Sequence, residues 1–224
     1  MQEELEQFMK NDMWSLVSKP KDTNVIGAKW IFKNKSNTYG NITRNKVRLV
    51  AQSYTQIEGI DFDEIFALVA RIESIRSLLV IECLLRFKLF QMDVKSALLN
   101  GFLNEVVYVE KPKGFEDTHH PNHVYKLKKV LYGLKQVPRA WYERLTNFLI
   151  KKGYNRGGVD KTLFIKSFKS SIIITQIYVD DIVFGFTSQV KLNKFVDQMK
   201  KEFEMNMVGE LNYFLGLQVK QSNE

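Results

Sequence analysis

Apolar and polar positions alternate in blocks along this chain, and the period of each block predicts its element. A helical spacing runs through "MQEELEQFMK" and predicts an amphipathic helix from about Glu3 to Met13. A short strand, "WSLV", follows. "AKWIFKNKS" and "ITRNKVRLVAQSY" read as two strands joined by the turn "NTYGN", which is a hairpin signature. After the loop "EGIDFDEIF", the stretch "SIRSLLVIECLLRF" predicts a helix with Ser74 as its N-cap. "LFQMDV" is a strand ending near Asp93. "KSALLNG" is a short helix closed by Gly101, and "VVYVEK" is a strand.

The loop "PKGFEDTHHPNH" leads into "VYKLKKVLYGLKQVPRAWYERLTNFLIKKG", read as a helical region broken before Pro138. "TLFIKSF" is a strand. In "SIIITQIYVDDIVFGF" two apolar, β-branched runs flank Asp180 and Asp181, which predicts a hairpin with both carboxylates at its tip. "SQVKLNKFVDQMKKEFEM" predicts a helix capped by Ser188, and "LNYFLGLQVK" a last hairpin. Locally paired strands with helices between them make an α+β pattern rather than a doubly wound one.

Composition adds little to that picture except in charge. The chain of 224 residues is 45% hydrophobic and 26% charged, within the globular range and long enough for one large domain or two small ones. Its net charge of +8 points weakly to a polyanionic partner. The single cysteine, Cys83, rules out a disulfide framework within the chain and is expected to be a small core residue. No basic segment followed by an apolar one opens the chain, so no secretion signal is expected. No apolar run approaches the length of a membrane span.

The acid pair admits three readings: a polar turn, a calcium site, or a catalytic metal site that borrows a further carboxylate. A calcium site needs more oxygen ligands nearby in sequence than are present. Asp93, at the end of another apolar strand, is the candidate third carboxylate, and it could reach the pair only through the fold. Carboxylates at two strand ends can hold two Mg²⁺ ions about 4 Å apart, activating an attacking hydroxyl and stabilising the phosphate in transfer. "HHPNH" (His119, His120, His123) has no fourth ligand at zinc spacing and is expected to be a solvated loop.

"QIYVDDIVFG" resembles the catalytic box of reverse transcriptases. Together with "GAKWIFKNK", "KVRLVAQSYTQIEGIDFDEIFA", "QMDVKSALLNG", "VYKLKKVLYGLKQVPRAWYERL", "GVDKTLFIK" and "GELNYFLGLQVKQ", it resembles the copia-type reverse transcriptase of plant LTR retrotransposon polyproteins, from about Trp14 to Lys220. That resemblance implies a right-hand polymerase. Fingers would span about 1–88 and 107–136, and a palm with a ferredoxin-like antiparallel sheet and helices about 89–106 and 137–224. A thumb is expected to be absent or truncated, and no RNase H or integrase region is expected.

The resemblance further implies RNA-directed DNA polymerase activity on a primed RNA or DNA template, using deoxynucleoside triphosphates and Mg²⁺, with Mn²⁺ as a substitute. Asp93 and Asp180 would be the main metal ligands, helped by the Val94 carbonyl, with Asp181 as the third carboxylate. Lys33, Lys35, Lys46 and Arg48 would meet the triphosphate, and Leu98 would lie at the sugar, where the family places an aromatic ring. Gly133, Lys135 and Arg139 would meet template and primer, with Trp141 and Tyr142 packed beneath. A cytoplasmic location, in a virus-like particle of the parent element, or a nuclear one would follow; no membrane association is expected.

The chain departs from the family pattern at Leu68, where proline is expected, at Leu98, where phenylalanine is expected, and at Gln52, where a basic residue is expected. The Leu98 change and the expected absence or truncation of a thumb leave a second class open: a catalytically silent remnant of a decayed element, at most a basic nucleic-acid-binding module.

Overall fold

The structure, a computed structural model, describes residues 1–37, 39–115 and 118–222. Thr38 of the expected "NTYGN" turn, and Glu116 and Asp117 of the expected "PKGFEDTHHPNH" loop, lie outside the described residues. The fold is mixed α and β. In chain order it comprises α1 (Gln2–Lys10), β1 (Trp14–Ser18), β2 (Val25–Ile26), β3 (Ala28–Ser36), β4 (Ile42–Ala51), α2 (Ile72–Leu85), β5 (Leu89–Val94), β6 (Tyr108–Val109) and β7 (His123–Leu127). It continues with α3 (Val137–Lys151), β8 (Asn155–Arg156), β9 (Leu163–Phe168), β10 (Ser171–Tyr178), β11 (Asp181–Phe186), α4 (Gln189–Glu202), β12 (Met205–Glu210), β13 (Tyr213–Phe214) and β14 (Leu217–Gln218). Two compact units emerge, Met1–Phe66 with Leu98–Arg144, and Ala67–Ala97 with Leu145–Glu224.

In the first unit a four-stranded sheet runs β1-β7-β6-β2. α1 drops Leu5 and Phe8 into a cluster with Leu49 and Ala51 of β4, Val109 of β6 and Leu127 of β7. β3 and β4 form a separate two-stranded ribbon. Its pairing is regular from Ala28↔Ala51 to Lys35↔Arg44.

In the second unit a six-stranded sheet runs β12-β5-β11-β10-β9-β8. Consecutive strand residues point to opposite faces. On one face Leu89, Ile174 and Val183 pack with Ile75 and Leu78 of α2. On the other, Phe184 meets Phe195 of α4 at 5.0 Å. With both faces covered, the central strands read as continuous apolar runs.

Several expected elements change. The stretch from 124 to 136 is not helical: it gives β7 and a series of turns, and only Val137–Lys151 forms a helix. Pro138 therefore starts a helix instead of breaking one. In the first turn its missing N–H costs nothing, and its fixed φ suits the helix. Ser74 lies inside α2, whose N-cap is the extended Arg71. Cys83 is exposed, not buried. It shares α2's outer side with Val80 and Leu84, both also exposed, because the helix is apolar around most of its circumference and only the Ile75/Leu78 side meets the sheet. "KSALLNG" yields a single 3-10 turn, Ala97–Asn100. Among the described residues, no helix is long and apolar enough to cross a membrane.

Candidate active site

β10 and β11 form a hairpin that closes at Tyr178↔Asp181, leaving Val179 and Asp180 as a two-residue turn. Val179 has φ 55. A positive φ at the first central residue alone is the pattern of a II′ turn, in which glycine is preferred there. A β-branched residue in that region carries about 1–3 kcal/mol of strain. Val179→Gly is therefore expected to raise folding stability by about 1 kcal/mol, net of the entropy a glycine adds to the unfolded chain. A urea midpoint below that of the parent chain would show that the turn is not strained.

Asp93, in β5, stands directly opposite Asp181 in the antiparallel ladder. Like charges so placed destabilise a strand pair by about 0.2–1 kcal/mol. The turn is tied to the same strand end, since the Val94 N–H donates to the Asp180 carbonyl at 2.9 Å. On the other side of β5, Asn206 of β12 pairs with Asp93. Gln91 donates Nε2–H to Asp181 Oδ1 at 2.8 Å. Burial pushes the Asp181 carboxyl above its ordinary value, the Gln91 hydrogen bond opposes this, and the charges of Asp180 and Asp93 push it further up. Lys95, just past Val94, is engaged with Glu204 at 2.7 Å.

The three expected aspartates thus meet at one end of the sheet, two on strands and one on a turn. Among the described residues no three His, Cys, Asp or Glu side chains close around a point where a metal would sit. The donor set is nonetheless all carboxylate oxygen, which suits a hard divalent cation such as Mg²⁺. A cation would also offset the repulsion between the facing carboxylates.

In the first unit the ribbon carries the expected cations. Lys33 pairs with Lys46, and Arg48 lies opposite Ile31. Burial pushes the Lys46 ammonium below its ordinary value. Arg48, Lys35 and Arg44 push it the same way, and Glu4 partly offsets them. The Arg48 guanidinium lies over the Tyr132 ring, 4.9 Å from its centroid. Its Nε is buried and has no hydrogen-bond partner.

Tyr132 is held in turn by Ala51, whose N–H donates to the Tyr132 carbonyl at 2.7 Å. Gly133 has φ +92 and presses on β4, where an added Cβ would fall 2.4 Å from the Ala51 carbonyl oxygen. Lys135 places its ammonium 4.4 Å from the Phe62 ring centroid. Arg139 is ion-paired to Glu143 at 3.1 Å and Glu64 at 3.4 Å. Trp141 is fully buried, a packing residue as expected, and Tyr142 is half-buried. Leu98 is half-buried against the first unit's core.

His119 and His120 lie exposed in their loop, but His123 opens β7 opposite Ser18 and approaches its hydroxyl at 3.3 Å. A polar network escaped the sequence reading altogether. Gln56 donates to Gln136 at 3.0 Å, Gln136 donates to the Asp61 carbonyl at 2.8 Å, and the Asp61 carboxylate accepts from the Ile57 N–H at 2.9 Å. All three side chains are buried. The one signal for it was an isolated glutamine in "LKQVP", at a place otherwise headed for a core.

Residues 11–224 match the family model described as reverse transcriptase (RNA-dependent DNA polymerase). The chain is 38% identical over 222 residues to the retrovirus-related Pol polyprotein from transposon RE1 of Arabidopsis thaliana, covering 99% of this chain and 15% of that protein. It is 38% identical over 220 residues to the corresponding polyprotein from transposon TNT 1-94 of Nicotiana tabacum, covering 98% of this chain and 17% of that one. The chain therefore spans less than a fifth of the length of these relatives. With the match running through nearly every residue, the chain belongs to the reverse transcriptase family, in the copia-type branch found in transposon Pol polyproteins.

Proposed function

We propose that this chain is the fingers-and-palm part of an RNA-directed DNA polymerase, acting by two-metal nucleotidyl transfer to a primer 3′-hydroxyl. In this reading the fingers span about 1–88 and 107–136 and the palm about 89–106 and 137–224; the compact units divide the chain differently, with α2 in the second and residues 98–106 in the first. The observation that carries the reading is the ladder register that sets Asp181 against Asp93 beside the Asp180 turn. A fold does not place like charges face to face at a strand end for its own stability.

In this reading Asp93 and Asp180 would hold the metals with the Val94 carbonyl, and Asp181, which accepts a hydrogen bond from Gln91, would be a secondary ligand. Mg²⁺, when bound, lowers the pKa of the primer hydroxyl and neutralises the developing phosphate charge. Lys33, Lys35, Lys46 and Arg48 bind the incoming triphosphate. Arg48 does so with the outer edge of a guanidinium whose inner face is stacked on Tyr132, leaving a planar fork suited to phosphate oxygens. Gly133, Lys135 and Arg139 support template and primer. The ion pairs of Arg139 to Glu64 and Glu143 would have to loosen for its guanidinium to reach a phosphate.

The test is Mg²⁺-dependent extension of a labelled primer on an RNA template by the purified chain. Extension supports the polymerase. Binding of the primer–template without extension, at any Mg²⁺ or Mn²⁺ concentration, assigns the chain to the silent remnants.

Leu98 gives a prediction on selectivity. A ring at that position rejects a ribose 2′-hydroxyl sterically, and leucine leaves room for it. Leu98→Phe is expected to improve discrimination against ribonucleotides by about tenfold, the scale of a small steric change in a pocket. The ratio of GTP to dGTP incorporation by the two proteins measures it. An unchanged ratio assigns Leu98 to packing alone, the role its contacts with the first unit's core already give it.

A further inference from the structure

The loop "QIEGIDF" of the first unit closes on itself. The Asp61 N–H donates to the Ile57 carbonyl at 2.9 Å, and the Gly59 N–H donates to the Phe62 carbonyl at 2.9 Å. The Asp61 carboxylate accepts from the Ile57 N–H at 2.9 Å and from the Asn24 amide at 2.5 Å. Three further bonds pin this loop to residues 135 and 136 of the same unit. Gln136 Nε2–H donates to the Asp61 carbonyl at 2.8 Å, Gln56 Nε2–H donates to Gln136 Oε1 at 3.0 Å, and the Lys135 N–H donates to Gln56 Oε1 at 2.8 Å. A buried polar network whose bonds are made rigidifies the segments that it joins.

Two neighbours are fixed by it. Phe62 follows Asp61 and Lys135 precedes Gln136, so ring and ammonium each belong to a residue next to the Gln136–Asp61 bond. The ammonium lies 4.4 Å from the ring centroid. Phe62 is buried, which makes its ring a fixed platform, whereas Lys135 is exposed.

A ring holds a cation differently from the way an acid does. Arg139 is ion-paired to Glu143 and Glu64, so its charge is compensated. Lys135 forms no ion pair among the described residues. An aromatic face carries a quadrupole and no net charge, so it attracts an ammonium without neutralising it. The N–H groups turned away from the ring remain free to donate to an anion. A lysine side chain loses much rotamer freedom when it is ordered, and one already placed loses less of it on binding.

We propose that Phe62 is a positioning residue: its ring, set by the Gln56–Gln136–Asp61 network, holds the Lys135 ammonium charged and in place for a phosphate of the primer–template. This role rests on the reading of Lys135 as a template and primer contact, and gives the 56–62 loop its part in that contact.

Fluorescence anisotropy of a labelled DNA primer–template, bound by the full chain, tests it. Lys135→Ala is expected to reduce the slope of log Kd against log salt by about 0.9, the value for one phosphate contact on a duplex. Phe62→Leu is expected to weaken binding by about twofold to fivefold, the range of one exposed cation–π contact. Phe62→Tyr keeps the ring and should bind as the parent does. In a Lys135→Ala background, Phe62→Leu should cost nothing further, because the two substitutions remove the same interaction. Circular dichroism melts report the folding of each variant, and Phe62→Met is a second ringless variant of conserved volume should the leucine fail to fold. A Phe62→Leu chain that binds as the parent does, a Phe62→Tyr chain as weak as Phe62→Leu, or an equal loss from Phe62→Leu with and without Lys135 overturns the positioning role and leaves the Lys135 contact standing. An unchanged affinity and slope in Lys135→Ala removes the contact itself, and the positioning role with it. No turnover enters the assay, so a chain without polymerase activity can still meet every expected result.

Discussion

Asp180→Asn is expected to abolish Mg²⁺-dependent primer extension, by a factor of about a thousand or more, while oligonucleotide binding stays at the parent level. Asparagine keeps the size of the side chain and removes the charge that would hold a metal. A metal ion supplies several kcal/mol of transition-state stabilisation, and each 1.36 kcal/mol is a factor of ten in rate. The substitution should not unfold the chain. Asp180 is exposed in its turn, and the bond that ties this residue to β5 comes from its main-chain carbonyl, which asparagine retains. Removing one of three mutually repelling carboxylates should leave the metal-free protein equally stable or slightly more so. Loss of extension with an unchanged melt therefore isolates the charge. Extension persisting at a tenth of the parent rate would falsify the two-metal assignment. Asp181→Asn makes a useful contrast, since its amide oxygen can still accept the Gln91 hydrogen bond and its proposed metal role is secondary.

The aspartates illustrate which information the sequence carries openly. β10, β11 and β5 are short β-branched and aromatic runs bounded by polar residues, and β5 appears over the same six residues that the pattern marked. Burial on both faces of a central strand leaves that signature without help from the rest of the fold. The opposition of Asp93 and Asp181 was not readable, because register between distant strands is set by the packing of the whole sheet. Nor was β12, which pairs with Asp93's strand. "EMNMVGE" has little strand propensity, carries a register shift between Met207 and Gly209, and is extended because β5 offers it a partner. The segment 124–136 failed for a different reason. "VYKLKKVLYGLK" spaces its apolar residues as a helix would, but its first part completes a sheet with β1 and β6, and Gly133 takes a left-handed conformation that stops any helix. The exposed Cys83 shows the limit of composition: a helix apolar all round is expected to be buried all round, and α2 is covered on one side.

Gly133→Ala is expected to be the most destabilising single-methyl substitution near the ribbon, costing about 3 kcal/mol or more. Two penalties add. The residue has φ +92, a conformation that costs an L side chain of order 1–3 kcal/mol. The new Cβ would also stand 2.4 Å from the Ala51 carbonyl oxygen and 2.5 Å from Val50 Cγ1. The first of these is backbone, held in place because the Ala51 N–H donates to Tyr132, so it cannot turn aside as a flexible side chain would. Relief must come from moving the 131–134 segment away from β4, at a cost typical of overpacked sites. Gly40→Ala is the control. Gly40, in the ribbon turn, has φ +81 but nothing within 4 Å of an added Cβ. It should lose only the conformational part, about 1 kcal/mol. The difference between the two urea midpoints then reports the steric part alone. Comparable losses for both would mean that the 131–134 segment yields easily and is not clamped to β4. A clamp has a functional corollary, because Tyr132 lies beneath the Arg48 guanidinium and moves with Gly133. In Gly133→Ala the affinity for dTTP should therefore fall as well, whereas Gly40→Ala should bind the nucleotide as the parent does.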